Sequence, residues 1–285
     1  MSSDDKNSPL KELFKLKRTN KFKPSIPSKR AEVKYRDSLL TLLKGLKKHL
    51  QEKIKDYINA NAYATQAQIF NYITQTLEQA RNVEILRHAT LIATAMVGLV
   101  NRLNKKQLTL NLKNSSGVDV EALLNDKVVK NRLDEYIAKN VSLITSIKND
   151  YLSDVEKQIR NAYLNGDRVE RLTATINERY KVSKSRARLI ARDQTNKLNA
   201  ELSQERSISL GLKYYEWQTS KDERVRKAHA NMDGKLCRYD DDSVYSDDNG
   251  KTWKKRTSDM PKAKPGIEIQ CRCNAIAIIG LDDEI

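Results

Sequence analysis

The sequence predicts an α+β protein that is predominantly α-helical, with a helical bundle followed by a small C-terminal β-containing module. Three observations carry this. Apolar residues recur at three-and-four spacing over most of the chain up to Ser209, the period of a helix with one buried face. A β-prone run, Ile267 to Ile279, closes the chain. Both tryptophans and all three cysteines fall between Trp217 and Cys273, which sets that stretch apart. A chain of 285 residues is long enough for a real core and for about two compact units.

In order, residues 1–29 carry Pro9, Pro24 and Pro27 among six lysines and arginines from Lys11 to Lys23, with too few apolar groups to bury, and predict an extended basic arm. It serves either as an anchor on an acidic surface or DNA, or as a solvated tail. Residues 30–130 form a helical region. Leu39, Leu43, Leu46, Leu50, Ile54 and Tyr57 line one helix, and Gln66, Ile69, Phe70, Ile73, Leu77 and Ala80 a second. The apolar tract Ala89–Val100 is broken by threonines and falls short of the ~18 to 20 apolar residues of a membrane span, so it predicts a buried core helix and no membrane span. Leu108, Leu110 and Leu112 alternate at period two before Asn-Ser-Ser-Gly, predicting a short strand or a linker.

Residues 131–216 continue the helical part. A helix from Val118 to Lys139 precedes one lined by Tyr151, Val155, Ile159 and Tyr163 and stopped at Asn165-Gly166. A shorter helix passes through Leu172, Ile176 and Tyr180, and another is capped by Ser183 and ends at Gly211. Residues 217–285 form the β-containing module with its His/Cys cluster. Here Asp222, Arg224, Arg226, His229 and Asp233 are spaced as neither helix nor strand requires, which with Arg272 predicts a fixed polar network. Between Lys235 and Lys264, Asn249-Gly250 reads as a hairpin turn, and the aspartates around it lack the ligand spacing of a calcium loop.

Cys271 and Cys273, two apart in a β-prone run, can share a face. With His229, and Cys237 as a fourth, they make a soft ligand set suited to zinc, although the spacing matches no standard paired-knuckle pattern. The competing reading is two buried thiols beside a histidine that hydrogen-bonds a carboxylate such as Asp233. Catalysis is not expected. A cysteine nucleophile with His229 as base has the residue types, but it lacks a nucleophile elbow, a protease context and a deaminase signature.

Several motifs occur in sequence: Asn140-Val-Ser-Leu-Ile before a long helix; Ser183-x-x-Arg-Ala-x-Leu-Ile-Ala-Arg-Asp-Gln-Thr-Asn-Lys197; Tyr215-x-Trp-x-Thr-Ser-x-Asp-x-Arg-Val-Arg-x-x-His-x-x-x-Asp-Gly234; and Pro265-Gly266 followed by Cys-Arg-Cys273. Their order resembles the phage Mu protein F-like head morphogenesis or minor capsid family of tailed bacteriophages, over residues from about 140 to 279. The resemblance implies a structural minor head protein inside the virion head near the portal, with portal or capsid proteins as partners, host cytoplasm as its place of assembly, and a role in DNA packaging or delivery. The formal net charge of +16 independently favours an acidic partner. It keeps open the alternative of a basic nucleic-acid-binding protein that holds packaged DNA through its N-terminal arm. A thiol or zinc enzyme is the third reading.

Overall fold

A computed structural model describes residues 20–279 of the chain. In order these are β1 (Asn20–Lys21), α1 (Lys29–Ala60), α2 (Gln66–Asn82), α3 (Leu86–Ser116), α4 (Asp126–Leu164), α5 (Val169–Ser209), β2 (Tyr214–Gln218), α6 (Lys227–Ala230), β3 (Leu236–Arg238), β4 (Val244–Tyr245), β5 (Lys254–Lys255) and β6 (Asn274–Ile279). The protein is thus α+β and predominantly helical, with its sheet near the C-terminal end. Its two compact units are not consecutive blocks. One gathers the residues up to Ala31 with Val97–Glu135 and Asp193 onward; the other gathers Glu32–Met96 and Tyr136–Arg192.

The second unit is helical throughout. Leu39, Leu43, Leu50 and Ile54 of α1 are buried at the spacing that predicted the stripe, as are Ile69, Ile73 and Leu77 of α2, Ala89 and Ala93 of α3, and Tyr151, Val155 and Ile159 of α4. Among the described residues no single helix is long and apolar enough to cross a membrane. Thr65 and Gln68 form a reciprocal cap at the start of α2. At its other end the buried Lys148 ammonium donates to the carbonyls of Arg81 and Val83, each at 2.7 Å, supplying donors that the last helical turn lacks. Inside the unit Tyr35 Oη donates to Asn140 Oδ1 at 2.8 Å, and Asn140 Nδ2 donates to the Tyr136 carbonyl at 2.8 Å. A buried polar pair is thereby satisfied.

Three expected breaks are absent. Leu108, Leu110 and Leu112 are not a strand: α3 runs through them to Ser116, burying Leu108 and Leu112 and exposing Leu110. Residues four apart share a helix face, so this run satisfies both periods, and the helical one wins. The Asn-Ser-Ser-Gly that follows ends a helix, with Gly117 at φ 75° and its N–H bonded to the Lys113 carbonyl at 2.8 Å. The helix expected from Val118 begins instead at Asp126 and continues unbroken to Leu164. Ser183 is not a cap but lies inside α5, a stretch from 169 to 209 without glycine or proline to interrupt it. The two stops expected from glycine are present. Gly166 (φ 72°) and Gly211 (φ 78°) take left-handed conformations, with Asp167 N–H reaching Ala162 and Leu212 N–H reaching Ser207.

In the first unit β1, β6, β2 and β3 lie side by side in that order, every pair antiparallel. Tyr215 faces Ala277 on one side and Cys237 on the other. Trp217, Tyr215, Met232, Tyr239, Leu212 and Cys237 share a core with Leu108, Leu112, Val120 and Leu124. Phe22 joins this core, and its N–H bonds the Ala277 carbonyl at 3.3 Å. Within the expected basic arm Phe22 and Ser25 are therefore buried while Lys23 and Ile26 are exposed, and residues 1–19 lie outside the described residues. Asn199 Nδ2 holds the Ser25 carbonyl at 2.7 Å. Next to it the buried Arg206 spans Asn104 Oδ1 at 2.6 Å and Asp126 Oδ1 at 3.0 Å, and a buried guanidinium requires such partners.

The stretch between β3 and β6 carries a hairpin, β4 with β5. Asn249 and Gly250 both have positive φ at its tip, as the dipeptide predicts. Its aspartates work locally. Asp240 grips Arg238 through both oxygens, Asp247 pairs with Lys254, and Asp248 accepts from Ser246, Thr252 N and Thr252 Oγ1. These hydrogen bonds hold the Asp248 carboxyl far below the usual carboxylate range.

Candidate metal centre

Two segments build the site. The first leaves β2, whose alternating burial puts Trp217 wholly inside. After a loop, the single-turn helix α6 carries His229 inward against the Trp217 ring, edge-on at 5.7 Å. Gly234 (φ 76°) then reverses the chain, so that its N–H bonds the Trp217 carbonyl at 2.8 Å and Trp217 N–H bonds the Lys235 carbonyl at 2.9 Å. Asp233 closes the loop by accepting from Thr219 N and Oγ1 at 2.8 and 2.9 Å.

The second segment, Pro265 to Cys273, is irregular and is held onto α5. Gln204 Nε2 donates to the Pro265 carbonyl at 3.2 Å. Gly266 (φ 85°) passes so close to α5 that an added Cβ would sit 2.5 Å from Ala200 Cβ, so only glycine fits there. Asp193 accepts the Gln270 N–H at 2.7 Å and pairs with Lys197 at 2.8 Å, holding Gln270 at φ 57°. The chain thus turns into Cys271 with its backbone fixed from outside.

Together these segments bring His229, Cys271 and Cys273 into one buried cluster whose ligand atoms all lie within 4.8 Å of one another. Nδ1 of His229 is 3.4 Å from each sulfur, and Nε2 is 2.9 Å from Glu268 Oε2. With the carboxylate as acceptor, the ring proton belongs on Nε2, which leaves the Nδ1 lone pair directed at the sulfurs. Arg226 Nη1 braces the same Glu268 oxygen at 2.9 Å. The N–H groups of Gly266 and Cys273 point at Cys271 Sγ from 3.4 and 3.5 Å. Interaction with Cys271 first, and with Glu268 next, raises the His229 pKa against the opposing effect of burial. The Cys271 thiol is pulled well down by its hydrogen bonds with Cys273 and His229 and by the two backbone N–H groups. Cys273 is pushed up by its neighbour Cys271 and by burial. Trp217 Nε1 is buried without a partner of ordinary hydrogen-bond geometry, yet it lies close enough to Cys273 to favour the thiolate.

Of the expected ligands, Cys237 is not in this cluster. It sits on β3 opposite Tyr215, near Arg256, and burial pushes its thiol up. The carboxylate on His229 is Glu268 and not Asp233, which is committed to Thr219. The expected polar network divides into separate parts. Arg272 forks onto Asp222, whose carboxyl is held below its usual range mainly by that guanidinium. Arg224 enters through its backbone N–H to Asp222 at 3.0 Å, whereas Arg226 joins Glu268 and the Ile269 carbonyl. Cys271 and Cys273 do face one centre, but from an irregular segment, since β6 starts at Asn274. Sequence reasoning does not mark Glu268, Gly266 or Asp193 as site residues. Only Gly266 carries a local signal, the Pro-Gly dipeptide.

Residues 153–276, which contain Asp193 and all of the cluster, match the family described as phage Mu protein F like protein. This is a phage Mu protein F-like region. The Mu F-like region thus covers α5, β2, β3, the start of β6 and the cluster together. An uncharacterised protein of Haemophilus influenzae is 32% identical over 273 residues, a match covering 94% of this chain and 58% of the relative. The likeness therefore extends well beyond the Mu F-like region into the N-terminal half, while the chain spans little more than half of that relative. No solved structure matches the chain.

Proposed function

We propose that this protein is a structural minor head protein of a tailed bacteriophage. In this reading it enters the head during assembly in the host cytoplasm, sits on the inner side near the portal, and contributes to DNA packaging or delivery. Its partners are portal or capsid proteins. The observation that carries the reading is the Mu F-like match over residues 153–276. The site agrees with a structural role, because Arg272 is paired with Asp222 and Arg226 with Glu268. Mass spectrometry of purified heads and of portal-containing assembly intermediates should find the protein at low copy number. Its absence from both would overturn the proposal. The charge of +16 supports DNA as a second partner, and binding to duplex DNA should then fall steeply with added salt.

A further inference from the structure

We propose that His229 Nδ1, Cys271 Sγ and Cys273 Sγ bind one zinc ion, with Glu268 orienting the histidine from outside and Cys237 taking no part. The two nitrogen–sulfur spacings are those of a tetrahedral site. With Zn–S of about 2.3 Å and Zn–N of about 2.0 to 2.1 Å, adjacent nitrogen and sulfur ligands stand about 3.5 Å apart. Both Nδ1 to Sγ distances are 3.4 Å. Glu268 on Nε2 is the carboxylate–histidine arrangement that fixes the tautomer and raises the basicity of a metal-bound imidazole.

The donors around the sulfurs point the same way. Two backbone N–H groups converge on Cys271 Sγ, and the buried Trp217 side chain shares a core with both cysteines. Zinc takes such sulfurs as thiolates and releases their protons, and it would supply the positive charge that two buried thiolates in contact require. Bound zinc would compensate both and leave its fourth position to a water, since no other histidine, cysteine or acidic side chain among the described residues joins the cluster. It would tie α6 to the segment before β6, clipping together two stretches already packed on the Trp217 core.

Full-length protein purified without chelator should contain about one zinc per chain. Replacing the zinc by Co²⁺ should give the intense absorption of cobalt–thiolate charge transfer. Cys271→Ser, Cys273→Ser and His229→Ala should each lose both signals, and Cys237→Ser should keep them. Glu268→Gln should still bind zinc, about 10- to 100-fold more weakly. Wild-type protein with no stoichiometric zinc and no charge-transfer band on adding Co²⁺ overturns the proposal even if some variants fail to fold. Loss of zinc in a folded Cys237→Ser protein overturns the ligand assignment.

Discussion

The carboxylate of Asp193 on α5 accepts the backbone N–H of Gln270 at 2.7 Å, one residue before the first cysteine of the cluster. The helix and the closing segment are far apart in sequence, and this bond sets the position of one against the other. Replacing Asp193 with Ala should destabilise the protein by about 1.5 to 3 kcal/mol, the usual worth of a hydrogen bond to a charged group. Asp193→Asn, which keeps an acceptor, should lose less. Urea unfolding checks both, and equal losses would show that the bond to Gln270 does not matter.

Gly266 should tolerate no side chain. Gly266→Ala adds a methyl group 2.5 Å from Ala200 Cβ at φ 85°, at a cost of about 1 to 2 kcal/mol from backbone strain alone before the clash. Ala200→Gly costs about 1 kcal/mol as a helix substitution but removes the atom that is struck. The double variant should therefore be more stable than the sum of the single losses predicts. Strict additivity in denaturant melts would contradict the close approach.

Lys148 should act as a helix cap. Its ammonium serves two carbonyls at the end of α2, and burial lowers its pKa. Lys148→Met fills the same space but leaves those carbonyls without a donor, a loss of about 1 to 3 kcal/mol. Amide exchange should quicken first in the last turn of α2. Protection lost evenly along the helix would argue against a local cap.

The carboxylates of the C-terminal stretch predict acid sensitivity. Asp222, held down by Arg272, and Asp248, held down by Ser246 and Thr252, both have depressed folded-state values. Their stabilisation is present above the unfolded carboxylate value of about 3.9 and is lost as pH falls below it toward the folded-state values. Asp248→Asn should therefore flatten the decline of the thermal midpoint between about pH 4 and pH 2. An unchanged slope would remove Asp248 from the account.

What is legible in the sequence is what a short window decides. Leu39, Leu43, Leu50 and Ile54 mark their helix by period alone, and Gly166 and Gly211 end theirs because left-handed backbone favours glycine. Where one pattern serves two periods, as in Leu108 to Leu112, a local reading picks the wrong one. Ser183 resembles a cap because caps favour serine, but nothing in the sequence around it ends α5. The cluster is partly visible because His229, Cys271 and Cys273 are rare residue types placed together. Cys237 groups with them by type, yet strand register sets it opposite Tyr215. Glu268 escapes a local reading because the loop that delivers it is shaped from outside, by Asp193 and Ala200.

The burial of Phe22 beside Ala277 bears on how the protein is made. A ribosome adds about 5 to 20 residues per second, so Phe22 emerges roughly 10 to 50 s before the strand that covers it. Helices of the other unit have their partners well before that. The sheet does not, and its earliest hydrophobic residue must wait for nearly the last one, open to solvent or to a chaperone. That interval is the point at which this chain is most exposed to aggregation.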